Sequence, residues 1–260
     1  MNIDFFSFPL NLAISLLYLA VLLYMYREHR ECRFVRWMLS PYATIAVLLL
    51  FALACLVVGL SSDRELTGSW WFIAVLFYFM TVLLMVTFRG IMCNGKVRWA
   101  FLLNHAGLLM ALGAAFWGAP DSVEYRMQLH RGEPENVAYR TDGSRTALAY
   151  ELTLEDFAVE YFENGVPSVF EACIEVDNKN VNTNNKSVRL KVNHPFNLSF
   201  SDALYLSGYD SRSRAESEYV VVQIVHEPWR YWALTGIILM ICGAFVLFVR
   251  GPRKEKCDRI

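Results

Sequence analysis

Trp99-Ala-Phe-Leu-Leu-Asn-His105-Ala-Gly-Leu-Leu-Met-Ala-Leu-Gly-Ala-Ala-Phe-Trp-Gly118 runs without a formal charge, and a few residues later the chain reads Val123-Glu-Tyr-Arg-Met-Gln-Leu129. The first stretch is apolar around its whole circumference. At 1.5 Å per residue, about 20 such residues cross the roughly 30 Å hydrocarbon core of a bilayer. The second stretch alternates apolar and polar side chains, the pattern of a strand with one buried face. A membrane span therefore gives way to a polar, β-rich segment.

The same reading extends to both sides. Phe5–Tyr26, Trp37–Leu60, Ser69–Phe88 and Tyr231–Val249 are comparable stretches, none carrying Asp, Glu, Lys or Arg. Backbone groups have no partner in lipid, so each is expected to be a helix. Phe5–Tyr26 differs from a signal peptide: it lacks a basic leader and a small-residue cleavage site, and reads as a retained span. The expected fold is a helical membrane protein of about five spans with an extracytoplasmic all-β domain, sandwich or open barrel, inserted before the last span. Its parts are residues 1–118 (four spans), 119–230 (the β domain), 231–249 (the fifth span) and 250–260 (a basic tail).

Charge supplies the orientation. The formal net charge is −1, but the basic residues are partitioned. Arg27, Arg30, Arg33 and Arg36 follow the first span, Arg89, Lys96 and Arg98 follow the third, and Arg250, Arg253, Lys254, Lys256 and Arg259 follow the last. The positive-inside rule puts these segments in the cytoplasm, with the N-terminus and residues 119–230 outside. Such residues suit anionic lipid headgroups, and the composition gives no support to nucleic-acid binding.

Expected strands in the outer segment are Val123–Leu129, Ala147–Tyr161, Ser168–Val176, Val188–Val192, Ala203–Leu206 and Tyr219–Val225, with Phe157, Val159, Tyr161 and Phe170 facing inward. Turn signals lie at Arg131-Gly-Glu-Pro134, Thr141-Asp-Gly143 and Glu163-Asn-Gly165, with a polar run over Asp177–Ser187. Among six cysteines only Cys173 lies here, so the domain has no internal disulfide, and its place in a strand reads as a small buried hydrophobe. No Cys-x-x-Cys pair, nucleophile elbow or phosphate loop is present. Asp156 and Glu160 read as a solvated strand face.

One position is expensive. His105 lies about 9 Å into its span from the cytoplasmic end, where an ionisable side chain usually meets a cavity, a partner or a ligand. At 100° per residue it shares a face with Arg98, Leu109, Leu112 and Phe116, while Gly107, Ala111 and Ala115 form a small-residue stripe suited to helix packing. An imidazole between a cation and an apolar surface matches haem, with iron on His105 and a propionate at Arg98. A polar packing contact shared with Asn104 fits the same residues, and residue physics alone leaves both readings open.

Longer motifs bear on that choice. Leu154-Glu-Asp-Phe-Ala-Val-Glu-Tyr-Phe-Glu-Asn-Gly-Val-Pro-Ser-Val-Phe170, Val192-Asn-His-Pro-Phe196, Tyr205-Leu-Ser-Gly-Tyr-Asp210 and the Asn104-His-Ala-Gly-Leu-Leu-Met-Ala-Leu-Gly-Ala run resemble the ResB (CcsB) family of system II cytochrome c biogenesis. The resemblance covers roughly Trp37 to Val249. It implies the haem-handling subunit of a holocytochrome c synthase in the bacterial inner membrane, with its large domain on the periplasmic side. It implies haem b as cofactor, held by His105 with a histidine of a ResC/CcsA-like partner bearing a tryptophan-rich WWD segment. Apocytochrome c is the second implied partner. This chain lacks a WWD-like segment, so covalent haem attachment is expected on the partner. The first span is an addition to the family pattern, and the outer domain is short. His194 and His226 match no motif residue and read as surface histidines, with His226, near the mouth of the last span, the weak second candidate for the cofactor. The alternative from another class is a membrane-anchored β domain that scaffolds an envelope complex without haem.

Overall fold

The computed structural model describes residues 7–61, 64–93, 96–161, 167–178, 186–209 and 217–251. The chain divides into two compact units, Met1–Ala119 with Trp229–Ile260, and Pro120–Pro228.

The first unit contains six helices among the described residues: α1 (Leu10–Glu28), α2 (Arg33–Met38), α3 (Pro41–Leu60), α4 (Trp70–Gly90), α5 (Trp99–Gly118) and α6 (Arg230–Arg250). All but α2 are long and apolar enough to cross a membrane, and the chain is a multi-pass membrane protein. A short hairpin, β1 (Met92–Cys93) with β2 (Lys96–Val97), links α4 to α5.

The expected second span begins at Trp37, but α3 starts at Pro41. Ser40 caps it, its hydroxyl accepting from the Ala43 amide at 3.1 Å, and proline occupies the first helical position. This is a strong start signal. Trp37 and Met38 belong instead to α2, whose Val35 and Met38 are fully buried. Arg89 of α4 donates to the Leu39 carbonyl just beyond α2. The first span starts at Leu10 rather than Phe5, after Pro9, and Phe5 and Phe6 lie outside the described residues. Asn11, buried in α1, donates to the Trp117 carbonyl at 2.8 Å, and Tyr18 shares a 2.7 Å hydroxyl contact with Thr81 of α4. Each satisfies a polar group that lipid would leave unpaired.

The closest helix contact joins α5 to α6. A Cβ on Gly107 would fall 2.6 Å from the Gly236 carbonyl oxygen, and one on Gly236 would fall 2.6 Å from the Ala111 amide and the Gly107 carbonyl. A Cβ on Gly243 would meet the Asn104 side chain at 2.6 Å. Gly107 and Ala111 of the small-residue stripe thus pack against Gly236 of the last span, as small residues do where backbones approach in lipid.

The second unit is one antiparallel sheet. Its strands are β3 (Val123–His130), β4 (Pro134–Arg140), β5 (Arg145–Tyr161), β6 (Pro167–Asn178), β7 (Lys186–Lys191), β8 (Phe196–Asn197), β9 (Asp202–Tyr209) and β10 (Tyr219–His226). They lie in the order β7-β6-β5-β4-β3-β10-β9-β8. Met127, Leu152, Ile174, Leu190, Leu204 and Val222, from six strands, share one core. Tyr209 of β9 meets Phe170 of β6 at 4.8 Å and Phe157 of β5 at 5.3 Å between ring centroids. Strands that far apart in the order touch only if the sheet curls, so the open-barrel form holds rather than the sandwich. Phe157 is buried, and Val159 and Phe170 pack against the same core. The Tyr161 side chain and the Glu163-Asn-Gly165 turn lie outside the described residues. Two strands were not expected. β4 buries only Ala138 among its residues and follows a turn signal, and β8 is two residues long.

Cys173 corrects its expected burial. Its neighbours Ala172 and Ile174 are fully buried, so strand alternation turns Cys173 to the outer face, where it is half-exposed.

The α5–α6 contact carries the first prediction. Gly236→Ala, which would normally favour a helix, should here cost about 1–3 kcal/mol by overpacking against backbone. A lower melting temperature in detergent is expected. Gly59→Ala, where no atom lies within 4 Å of the new Cβ, should be neutral or stabilising.

Candidate functional site

His105 opens onto a cleft of about 280 Å³ lined by Val47 and Leu48 of α3, Phe79 and Val86 of α4, Asn104 and Leu108 of α5, and Met240 of α6 among others. Apart from Thr44, Asn104 and the imidazole, the lining is apolar.

The imidazole is held from one side. Its Nδ1 lies 3.0 Å from the Phe101 carbonyl oxygen, one helical turn earlier. A carbonyl only accepts, so Nδ1 is assigned the proton and Nε2 keeps its lone pair. The Phe101 ring stacks on the imidazole, with centroids 3.8 Å apart and planes 20° apart. The Arg98 guanidinium lies 4.9 Å from the centroid of the same Phe101 ring. Gly90 makes the arrangement possible, since a Cβ there would fall 2.2 Å from Phe101 ring carbon. Phe101 and Gly90 were not singled out in the sequence; the spacing of Phe101, one turn before His105, was the available signal.

The neighbours of His105 differ from expectation. Leu108, three residues on, shares its cleft. Leu109 and Leu112 instead pack against the cluster built from α1, α2, α3 and α4, and Phe116 makes ring contacts with Phe77 and Trp117. The ideal helical angle placed His105 near the middle of one face, whereas packing makes it a boundary between two. Asn104 makes the expected packing contact, on Gly243, and also lines the cleft. Its Nδ2 donates to the Ala100 carbonyl at 2.8 Å. A second apolar cleft of about 360 Å³, lined by Tyr18, Met110, Trp117, Trp229 and Trp232, contains no histidine or charged residue.

In the outer unit, His194 is exposed in a turn, its backbone amide bonded to the Lys191 carbonyl. His226 Nδ1 lies 2.6 Å from Asp202 Oδ1. Asp156 pairs with Arg131 at 3.0 Å on the exposed face, and the Glu160 side chain lies outside the described residues. Tyr150 is buried beneath this face of the sheet, and burial, with the charge of Asp202 and the neighbouring Tyr125, pushes its phenol well above the usual range. Among the described residues no group of three or more His, Cys, Asp or Glu could hold a metal ion. Cys173 Sγ lies 3.1 Å from Glu155 Oε2 and 3.1 Å from Ser187 Oγ, which itself donates to Glu155 at 2.7 Å. The hydrogen bonds from Ser187 and then Cys173 hold the Glu155 carboxyl below its ordinary value. Ser187 pulls the Cys173 thiol down, but burial and the Glu155 hydrogen bond and charge outweigh it, leaving the thiol raised.

The ResB-like family model matches residues 94–218, a stretch holding α5, His105 and most of the outer domain. Over those residues the chain is similar to ResB-like proteins. No curated protein matches it. Among solved structures it is similar to "Cytochrome c Heme Lyase CcmF", at 16% identity and a TM-score of 0.41, over 82% of this chain and 35% of that one. The chain thus spans about a third of that protein's length.

The thiol gives a second prediction. Glu155→Gln removes the adjacent negative charge, so the Cys173 thiolate fraction should rise. Alkylation of Cys173 at pH 8, followed by peptide mass spectrometry, should quicken severalfold. An unchanged rate would mean the Glu155 contact does not govern the thiol.

Proposed function

We propose that this protein is the ResB-type, haem-handling subunit of a cytochrome c biogenesis complex, and that His105 is an axial ligand to haem iron. One observation carries the reading: in an apolar cleft inside a span, the Phe101 carbonyl engages Nδ1 and leaves Nε2 as the free donor. Ligating histidines are commonly oriented through the opposite nitrogen in this way. The donor set fits haem. An apolar lining suits a macrocycle, one imidazole suits an axial position, and Arg98 at the helix start suits a propionate. Haem supplies the iron porphyrin that becomes covalently attached to an apocytochrome.

The residues of this chain hold and orient. Phe101 fixes the imidazole by stacking and by its carbonyl. Gly90 admits the Phe101 ring. Leu108, Phe79 and Val86 exclude water, and Arg98 offers positive charge at the cytoplasmic end of α5. A second axial ligand and the attachment chemistry belong to a WWD-bearing partner of the ResC/CcsA type, and the outer domain faces the periplasm, where it meets the partner, the apocytochrome or both. The bacterial inner membrane and the system II pathway are part of this proposal, which rests on the family match and the partition of basic residues.

Two experiments test it. His105→Ala should leave the protein inserted, because removing a polar group eases insertion, yet strip most haem from the purified complex. Free imidazole should restore part of the visible spectrum, and Arg98→Ala should have a milder effect. A variant with full haem content and full cytochrome c maturation would return His105 to a packing role and favour the scaffold reading. For orientation, a reporter active only in the periplasm should be silent after Ile260 and active when inserted within residues 178–186. The opposite pattern would invert the topology.

A further inference from the structure

We infer that α2 is an interfacial helix whose Arg33 and Arg36 hold the phosphate of an anionic phospholipid headgroup, with Phe34 and Trp37 seated among its acyl chains. Neither haem nor the side of the membrane on which α2 lies enters into this.

The spans fix the level of the helix. α1 ends at Glu28 and α3 begins at Pro41, and both are long and apolar enough to cross a membrane. α2 joins them, so it lies where the hydrocarbon gives way to headgroups. The protein holds it there. Val35 and Met38 are fully buried, and Arg89 at the end of α4 donates to the Leu39 carbonyl just beyond α2. The Trp37 ring stacks on Tyr78, with centroids 6.2 Å and planes 18° apart. Tyr78 belongs to the middle of α4, so Trp37 reaches from α2 into the apolar layer.

The helix is two-sided. At about 100° per residue, Trp37, Phe34, Met38 and Val35 fall within one arc of roughly 160°, and Arg36 and Arg33 lie about 60° apart on the other side. Val35 and Met38 spend their part of the apolar arc on the protein. Phe34 and Trp37 do not, remaining 56% and 49% exposed. Aromatic side chains beside arginines are the composition of a helix lying in the membrane surface. Tyr42, in the first turn of α3, is exposed at the same level, where aromatic residues gather at the membrane boundary.

Charge names the ligand. Arg27, Arg30, Arg33 and Arg36 stand against only Glu28 and Glu31 in this segment. Glu28 lies 3.7 Å from Arg27, and the Arg30 guanidinium lies 5.0 Å from the centroid of the Tyr26 ring. Arg33 and Arg36 are exposed. Arg36 donates to the Glu31 carbonyl at 3.1 Å, which draws its guanidinium toward the N-terminal end of α2, where Arg33 stands. A guanidinium has five N–H donors, so that contact leaves Arg36 donors to spare. Planar guanidinium groups meet phosphate oxygens with paired, charge-assisted hydrogen bonds. A zwitterionic headgroup carries its own ammonium, which these arginines repel, so an anionic phospholipid is the occupant.

The test is native mass spectrometry of the full chain, purified in detergent and offered equal amounts of phosphatidylglycerol and phosphatidylcholine with the same acyl chains. Wild type should retain phosphatidylglycerol in preference. Arg33→Gln combined with Arg36→Gln should weaken that retention about tenfold. Arg27→Gln combined with Arg30→Gln removes the same charge from the preceding turn and should leave most of the retention in place. Phe34→Ala should weaken it severalfold with both arginines present. All these side chains are exposed, so melting temperatures without added lipid should match wild type. Equal retention of the two lipids by wild type would overturn the site. Equal loss in the two double variants would do so as well, leaving only a diffuse charged surface. Displacement of the lipid by millimolar inorganic phosphate would also contradict it, because Phe34 and Trp37 would then contribute nothing.

Discussion

The approach of α5 to α6 through Gly107 and Gly236 sets the arrangement on which the rest of the membrane unit depends. In lipid there is no hydrophobic gain from bringing two apolar helices together, so close contact must come from van der Waals packing and satisfied polar groups. Glycines that a Cβ would drive into backbone at 2.6 Å supply that contact. Asn104 lies over Gly243 in the same seam. With that side of α5 committed to α6, His105, one residue along, is left at the edge of the seam, facing the cleft shared with α3 and α4. The same two helices carry the chain into and out of the outer domain.

Around His105 the local devices reinforce one another. Gly90 at the end of α4 leaves room for the Phe101 ring, Phe101 stacks on the imidazole and accepts from its Nδ1, and the Arg98 guanidinium rests on the same ring. Each contact is modest alone. Together they restrict an imidazole that could otherwise choose among rotamers and tautomers, and they do so without using Nε2.

Much of this was legible in the sequence for a physical reason. The hydrocarbon core demands a fixed length of charge-free helix, and α5 spans the same residues, Trp99–Gly118, as the charge-free run. Alternation in β3 and the β-branched run of β10 likewise mark strands. What escaped was set by tertiary contacts. β4 carries no alternation because it buries only Ala138 among its residues. Cys173 looked apolar by its neighbours, yet strand register sends it outward to Glu155 and Ser187. Leu109 was expected beside His105, but α1 and α4 claim it, and Leu108 takes its place. Neither the Phe101 carbonyl nor the Asp202 carboxylate could be assigned to a histidine before the fold placed them.

The central claim, that His105 presents Nε2 to haem iron within its span, is tested most directly by a cryo-electron microscopy structure of this chain isolated with its membrane partner. The account predicts a flat macrocycle in the cleft between α3, α4 and α5, iron within coordination distance of His105 Nε2, and Nδ1 still on the Phe101 carbonyl. A cleft filled by lipid tails, with His105 Nε2 hydrogen-bonded to a partner helix, would contradict it.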